Sequence, residues 1–119
     1  MKIVLAFDSF KGCLSAQEAC RAAKDGILSV RKDAEVVSVP LSDGGEGLVQ
    51  CFLRMGKAGE VSVKVHGPLM EEVEATYAIS HDGEIAYMEM ASACGLTLVP
   101  EERRNVMDAT TYGLGEMMV

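Results

Sequence analysis

The spacing of apolar residues near the N-terminus predicts a strand, a helix and a second strand. Residues 3–7 form a continuous apolar run, which is typical of a strand buried on both faces of a parallel sheet. Ser15 and Glu18 then form an S-x-x-E capping box, in which each side chain pairs with a backbone amide at the start of a helix. Apolar residues recur at intervals of three and four up to Val30, so one side of this helix faces the sheet. The second strand is predicted over Glu35 to Val39.

The second predicted strand leads into a glycine-rich stretch, Ser42-Asp43-Gly44-Gly45-Glu46-Gly47. After it, we predict a helix over Leu48 to Met55 and a half-buried strand over residues 61–66, where valines alternate with polar residues. This order of elements is the opening of a doubly wound parallel α/β sheet. The glycines require a reason, because glycine inside a helix costs about 1 kcal/mol relative to alanine.

The pattern changes near residue 70, where alternating residues predict an antiparallel hairpin. Asp82-Gly83 favours a two-residue turn between strands at residues 76–81 and 84–90. Because antiparallel strands follow a parallel unit, we expect residues 1–69 to begin one α/β domain and residues 70–119 to begin another. The last residues are apolar and look like the start of a helix, so we expect the chain to be the N-terminal part of a longer protein.

The composition limits the classes of partner. The net charge is −7, with 18 acidic and 11 basic residues, and basic residues stand at most in adjacent pairs. We therefore expect no binding to nucleic acid or to an anionic membrane surface, whereas an anionic small molecule needs only a few placed cations or a helix N-terminus. The four cysteines lack C-x-x-C spacing, so we expect reduced thiols in a cytoplasmic protein rather than a zinc site.

Acidic residues follow the predicted strands. In open α/β sheets, ligands bind beyond the carboxyl ends of the strands. Asp8 follows the first strand, and Asp43 and Glu46 follow the second. Glu89 has a comparable position at the end of the predicted hairpin. We therefore expect these carboxylates along one edge, with Lys11 as the single nearby cation.

Two interpretations of Asp43-x-x-Glu46 remain open. The pair is itself a capping box, and both acids would then serve only to start the next helix. The adjacent glycines instead fit backbone amides offered to a phosphate, or carboxylates that hold Mg²⁺ or sugar-like hydroxyls. Because bare carboxylates repel a phosphate, that ligand requires a metal ion or the cations Lys11, Arg103 and Arg104. The chain contains neither G-x-x-x-x-G-K-[ST] nor G-x-G-x-x-G, so neither common phosphate loop is present.

Six stretches spread over the whole chain carry a further pattern. They are AFDSFKGCLS (residues 6–15), PLSDGGEG (residues 40–47), Gly67-Pro68-Leu69, Glu89-Met90-Ala91 together with Cys94-Gly95-Leu96, Arg104-Asn105, and TTYGLGE (residues 110–116). Together and in this order, they resemble the N-terminal part of the glycerate kinase type-1 family.

The resemblance implies an enzyme that transfers a phosphoryl group from ATP, with Mg²⁺, to a hydroxyl of D-glycerate and releases a phosphoglycerate. It also implies a flavodoxin-like, Rossmann-like domain interrupted by a second α/β domain, with the active site in the cleft between them. Residues 1–69 would then be the first segment of the flavodoxin-like domain, and residues 70–119 the beginning of the inserted domain.

With this resemblance, the candidate site residues divide by role. We expect Asp8, Lys11 and Asp43 to be catalytic, with Asp43 also a ligand of Mg²⁺, and Lys11 to neutralise charge on the transferred phosphoryl group. Arg104 would pair with the carboxylate of glycerate. The expected substrate-binding residues are Ser9, Gly44, Gly45, Glu46, Glu89, Arg104, Asn105, Thr110 and Thr111.

A second hypothesis is that the chain by itself is not an enzyme. It would then be a truncated, non-catalytic fragment that associates through an unfinished sheet edge, or a module that binds a small ligand. Ligand-dependent stabilisation by Mg-ATP distinguishes the two hypotheses.

Overall fold

The computed structural model describes all 119 residues, which form two compact units, Met1–Asp43 and Gly44–Val119. The first unit contains a parallel two-stranded sheet, and the second contains an antiparallel three-stranded sheet. The chain is therefore of the mixed α/β class, as the sequence predicts. The flavodoxin-like arrangement and the division into domains at residues 69 and 70 stay predictions. None of the helices has the length and apolar character needed to cross a membrane.

The first unit is the predicted strand-helix-strand segment. β1 (Lys2–Leu5) and β2 (Glu35–Ser38) pair in parallel, with α1 (Ala16–Val30) between them in sequence. Such a helical crossover is what two parallel strands require, because a tight turn would leave them antiparallel. Cys20 of α1 is buried, and its thiol donates a hydrogen bond to the carbonyl oxygen of Leu5 at 3.6 Å.

The predicted capping box at the start of α1 is confirmed. The Glu18 amide donates to Ser15 Oγ at 3.2 Å, and the Ser15 amide donates to a Glu18 carboxylate oxygen at 2.9 Å. These bonds satisfy amides that have no partner within the helix. Acceptance from the Ser15 backbone amide is also the main cause that holds the pKa of Glu18 below its ordinary value.

The second unit contains three strands and three α-helices. They are α2 (Leu48–Arg54), β3 (Ala58–His66), β4 (Glu72–Ser80), β5 (Ala86–Tyr87), α3 (Met90–Cys94) and α4 (Tyr112–Met117). Two short 3-10 turns, Leu96–Leu98 and Glu101–Arg103, lie between α3 and α4. The sheet order is β3-β4-β5, and β3 and β4 pair along their whole length.

β3 is not the third strand of the parallel sheet, so that expectation is wrong. It pairs antiparallel with β4 through a tight connection, in which the Gly67 amide donates to the Glu71 carbonyl at 2.7 Å and Met70 has a φ of 67°. Parallel neighbours need a crossover of a dozen or more residues, and the connection at residues 67–71 is far shorter. Of the predicted polar face of β3, Ser62 and Lys64 are exposed, as is Glu60 before them, whereas His66 is half-buried.

The predicted hairpin between β4 and β5 is present, but the predicted two-residue turn at Asp82-Gly83 is wrong. The Ser80 amide donates to the Ile85 carbonyl at 2.8 Å, so the connection is four residues long, and Asp82 lacks the positive φ that a type I′ turn requires. Gly83 has a φ of 76°, and its amide donates to the Ser80 carbonyl at 2.8 Å. β5 is shorter than predicted because the chain leaves the sheet after Tyr87 and enters α3 at Met90. The Thr76 amide of β4 donates to Ser92 Oγ of α3 at 2.7 Å, so a helical side chain satisfies an amide that a longer β5 would have paired.

Two clusters of buried residues hold the short helices on the sheet. One cluster joins β3, β4, α3 and α4 and consists of Val65, Ala75, Ala93 and Met117. The other joins α2 to β3 and β4 and consists of Val49, Ala58 and Ala78. Beside the second cluster, the ring of Phe52 stacks on Tyr87 with centroids 3.7 Å apart. Helices of this length are marginal in isolation, so they depend on these contacts.

α4 lies so close to the end of β3 that one of its positions has no room for a side chain. A Cβ added to Gly113 would collide with the carbonyl oxygen of His66. From the same helix, the Glu116 carboxylate accepts the His66 backbone amide at 2.7 Å and lies 2.9 Å from the ring Nδ1. The ring of Tyr112 meets the imidazole edge-on, with centroids 5.6 Å apart. α4 is therefore fixed to β3 at several points around His66.

We expect Gly113→Ala to destabilise the second unit, because the added methyl group must push α4 away from the His66 carbonyl. The expected loss is about 1–3 kcal/mol in the free energy of unfolding, measured by urea titration. Gly115→Ala is the matched control, since a Cβ there meets nothing within 4 Å in the same helix. It should stabilise by about 0.5–1 kcal/mol. Equal effects of the two substitutions would contradict the close approach at Gly113.

The contact between Glu116 and His66 predicts a pH-dependent stability. The pKa of Glu116 is held below its ordinary value, first by the His66 backbone amide and then by the His66 ring. The folded chain therefore binds fewer protons than the unfolded chain, and the resulting stabilisation is complete at neutral pH and is lost as the pH falls through the lowered pKa.

Accordingly, the difference in unfolding free energy between the wild type and Glu116→Gln should shrink as the pH falls, in urea titrations at a series of pH values. Glu101→Gln removes an exposed glutamate elsewhere and is the control. A Glu116→Gln difference that stays constant with pH would contradict the assignment.

Candidate functional site

The two strand ends of the first unit lie side by side. Beyond β1 and β2, the Leu41 amide donates to the Phe7 carbonyl at 2.8 Å, so the chain segments remain paired past the strands themselves. Asp8 follows Phe7 directly, and Ser42 and Asp43 follow Leu41. The structure therefore brings Asp8 and Asp43 to the carboxyl edge of one parallel pair, which is where α/β sheets bind their ligands.

A tight loop after β1 presents Lys11. The amides of Cys13 and Leu14 both donate to the Phe10 carbonyl, at 2.8 and 3.0 Å, and Gly12 has a φ of 73°. These bonds fix the backbone on both sides of Lys11, whose side chain is exposed. A lysine held in this way offers a compact positive charge on a flexible stem to an anionic ligand.

Asp8 and Ser9 interact locally at the start of this loop. The Ser9 amide donates to Asp8 Oδ1 at 2.6 Å, and Asp8 is exposed whereas Ser9 is half-buried. The bond orients one carboxylate oxygen toward the backbone of the loop.

Positive backbone angles explain two of the glycines in the glycine-rich stretch. Gly44 and Gly47 have φ values of 101° and 91°, which glycine adopts without steric cost. Gly47 is the N-cap of α2. Because glycine has no side chain, it cannot cap the helix itself. The capping-box interpretation of Asp43 and Glu46 is therefore wrong, because the helix begins after Gly47 and the Asp43 position lies well before its N-cap.

Glu89 supplies the cap that Gly47 lacks. Its carboxylate accepts the Gly47 amide at 3.3 Å and the Val49 amide at 3.0 Å, across 40 or more residues of sequence. Glu89 is half-buried and immediately precedes α3. Within the second unit, the structure thus brings Glu89 to the end of the glycine-rich stretch, next to Glu46. Sequence reasoning missed this contact, although a glycine at the N-cap of a predicted helix signals that another group must satisfy the amides.

Four of the expected substrate-binding residues line one open pocket of the second unit. They are Arg104, Asn105, Thr110 and Thr111. The pocket has a volume of about 730 Å³, in the range of small-molecule sites. Its remaining wall is largely apolar and is formed by Pro68, Met90, Cys94, Leu96, Val99, Val106 and Ala109. Sequence reasoning missed this apolar wall, because its residues come from four separate parts of the chain.

The polar residues of the pocket are anchored by backbone contacts. Arg104 Nε donates to the Val99 carbonyl at 3.3 Å, and Thr110 Oγ1 accepts the Tyr112 amide at 3.1 Å. The Thr110 amide donates to the Pro68 carbonyl at 2.9 Å. These bonds place the guanidinium and the threonines on segments with a fixed backbone.

Asn105 shapes the loop rather than pointing freely into the pocket. Its Oδ1 accepts the Met107 amide at 3.1 Å, and its Nδ2 donates to Asp108 Oδ2 at 2.7 Å. A second, smaller pocket of about 350 Å³ adjoins this loop and shares Arg104 and Asn105 with the first. Its other lining residues are Leu69, Glu102, Arg103 and Asp108. Arg104 therefore borders both an apolar pocket and a polar pocket. A guanidinium in this position can form bidentate hydrogen bonds with a carboxylate or a phosphate.

The expected site residues divide between the two units. Asp8, Ser9, Lys11 and Asp43 belong to the first unit, whereas Gly44, Gly45, Glu46, Glu89, Arg104, Asn105, Thr110 and Thr111 belong to the second. Nowhere in the chain do three side chains of the His, Cys, Asp and Glu types converge as a metal-binding cluster.

Comparisons with known proteins point to one family. The profile of the glycerate kinase family matches residues 3–119. Glycerate 2-kinase of Escherichia coli K12 is 45% identical over 119 residues, which are 100% of this chain and 31% of that protein. A glycerate kinase of Halalkalibacterium halodurans is 44% identical over 117 residues, with coverage of 98% and 31%. The chain thus spans about a third of the length of these relatives.

A solved structure agrees with the sequence comparisons. The crystal structure of "putative glycerate kinase 2 from Salmonella typhimurium LT2" superposes with a TM-score of 0.65 at 42% identity, over 99% of this chain and 32% of that one. The match therefore covers both compact units. The chain belongs to the glycerate kinase family and corresponds to an N-terminal portion of its members.

Proposed function

We propose that this chain is the N-terminal part of an ATP-dependent glycerate kinase, which transfers a phosphoryl group to a hydroxyl of D-glycerate. The observation that carries the proposal is the pocket around Arg104. This pocket lies in a chain whose whole length aligns with part of a glycerate kinase. The name of the Escherichia coli relative, glycerate 2-kinase, supports the 2-hydroxyl as the acceptor. Because the chain covers about 31% of that relative, we do not expect turnover by these 119 residues alone.

In this proposal, the first unit handles the transferred phosphoryl group. Lys11, held at the tip of its loop, neutralises negative charge that develops on the phosphoryl oxygens. Asp8 orients that group, and Asp43 lies at the same carboxyl edge. Phosphoryl transfer depends mainly on positioning and electrostatic stabilisation, so these side chains contribute more to rate than to folding.

The second unit holds the substrate. Arg104 pairs with the glycerate carboxylate, because a guanidinium matches the two oxygens of a carboxylate. Gly44 and Gly45 allow the ligand to approach the backbone closely, and Glu46 accepts hydrogen bonds from glycerate hydroxyls. Ser9 from the first unit, together with Asn105, Thr110 and Thr111, completes the proposed contacts.

Mg²⁺ accompanies ATP in this proposal, and Asp43 is the residue that would hold it. Magnesium commonly takes one or two carboxylates and completes its coordination with waters and substrate phosphates. Asp43 is an exposed carboxylate at the carboxyl edge, which fits that donor set. When bound, the ion would offset the charge of the phosphates beside the acids of the glycine-rich stretch.

The proposed partners are glycerate and a nucleotide, and the proposed location is the cytoplasm. All four cysteines are free, which supports a reducing compartment. The excess of acidic residues disfavours nucleic acid and anionic membranes as partners.

A chimaera with the Escherichia coli relative tests whether this chain can supply the N-terminal part of an active glycerate kinase. The 119 residues replace the aligned N-terminal segment of the Escherichia coli relative, and ADP release is measured with D-glycerate and Mg-ATP. We expect turnover, and we expect Lys11→Ala and Asp43→Asn each to lower kcat by about 100-fold or more, because each removes an electrostatic contact of the transition state.

Lys24→Ala and Asp25→Asn are the matched controls, since both residues are exposed on α1 and lie outside the proposed site. They should leave kcat within about twofold, as surface substitutions do. Unchanged turnover in Lys11→Ala and Asp43→Asn would refute the site assignment. A folded chimaera without any turnover, combined with no thermal stabilisation of the chain by Mg-ATP, would favour the non-catalytic fragment.

A further inference from the structure

Glu89 is the N-cap residue of α3, but its side chain caps α2. It has an extended backbone directly before α3, and its side chain makes no capping bond to that helix. Instead, its carboxylate accepts the Gly47 and Val49 amides at the start of α2. A single half-buried acid thus links α3 to the end of the glycine-rich stretch.

The start of α2 depends on this distant acid because its own sequence offers no cap. The N-cap is Gly47, whose φ of 91° differs from the extended conformation of an ordinary capping residue and which has no side chain to bond the first amides of the helix. The first amides of a helix have no partner within it, so their position is set by whatever accepts them. Here Glu89 accepts the Gly47 and Val49 amides, and the Gly45 carbonyl accepts the Leu48 amide at 3.2 Å.

Glu89 lies close to an anchored residue of the sheet. Tyr87, two residues earlier, pairs with Ala78 in the sheet and stacks on Phe52 of α2. Met90, the next residue, lines the pocket that contains Arg104. The carboxylate therefore lies on a short, anchored segment between the glycine-rich stretch and that pocket.

We propose that Glu89 is a positioning residue for ligand binding: it fixes the turn formed by Gly44–Gly47 through its bonds to Gly47 and Val49. The role rests on the proposed kinase function of the glycine-rich stretch. In this role Glu89 acts through the turn, since each of its carboxylate oxygens accepts a backbone amide.

Amide hydrogen exchange in the 119-residue chain tests the structural part of this proposal. Glu89→Ala should speed the exchange of the Gly47 and Val49 amides roughly tenfold, the size expected when a helix loses its cap. Glu89→Gln keeps one carbonyl oxygen in place and should give an intermediate effect. Amides in the β3–β4 ladder should keep their protection, which shows that the fold persists.

Glu84→Gln is the control, since Glu84 is exposed in the preceding turn. In the Glu84→Gln variant, the Gly47 and Val49 amides should exchange at the wild-type rate. Unchanged exchange in both Glu89 variants would overturn the proposal. Equal loss of protection at Gly47, Val49 and the β3–β4 ladder would also overturn it, because Glu89 would then support the whole unit rather than the turn.

Kinetics in the chimaera test the functional part. We expect Glu89→Gln to raise the KM for D-glycerate roughly tenfold with a much smaller change in kcat, because a displaced turn weakens substrate binding. A fall in kcat with unchanged KM would overturn the positioning role. If the wild-type chimaera has no turnover, the kinase proposal fails, while hydrogen exchange still decides whether Glu89 fixes the turn.

Discussion

The second unit depends on the antiparallel ladder between β3 and β4. Each of these strands pairs over nine residues, whereas α2, α3 and α4 have seven, five and six. Helices of that length do not persist alone in water, so the sheet must supply the surface on which they form. The buried alanines at positions 75, 78 and 93 allow the helices to approach this surface closely. The candidate pocket is built on the same platform, since its lining residues lie on the segments that α3 and α4 anchor.

Two glutamates satisfy backbone amides at the ends of these elements. Glu89 accepts amides at the start of α2, and Glu116 accepts the amide of the last residue of β3. In both cases, a carboxylate from a segment distant in sequence accepts the backbone amide. Charge-assisted hydrogen bonds of this kind are stronger than neutral ones. They fix the relative positions of elements that are remote in sequence. Glu89 and Glu116 thus make structural bonds within the second unit, whereas Asp8 and Asp43 lie at the proposed ligand-binding edge of the first.

Local sequence signals predicted what local physics determines. The capping box of α1, the hairpin around Asp82-Gly83 and the exposed Ser62 and Lys64 of β3 all follow from patterns within a few residues, and all are present. The partner of β3 was predicted wrongly, because a pattern of alternation does not reveal whether a strand pairs with an earlier or a later segment. For the site, the strand ends located Asp8 and Asp43 on one edge, since the carboxyl ends of parallel strands coincide. The cap from Glu89 and the apolar wall of the pocket were not predictable in this way, because both join segments far apart in the chain.

The stacking of Phe52 on Tyr87 allows the docking of α2 to be followed by near-ultraviolet circular dichroism. The chain contains three tyrosines and no tryptophan, so no indole masks the tyrosine signal. Tyr87 is held face to face with a phenylalanine of α2, and Tyr112 meets His66 where α4 joins the sheet. A fixed aromatic environment gives a near-ultraviolet circular dichroism signal that fades when side-chain packing is lost. Two of the three tyrosines thus act as built-in reporters of whether the short helices are docked, without any added label.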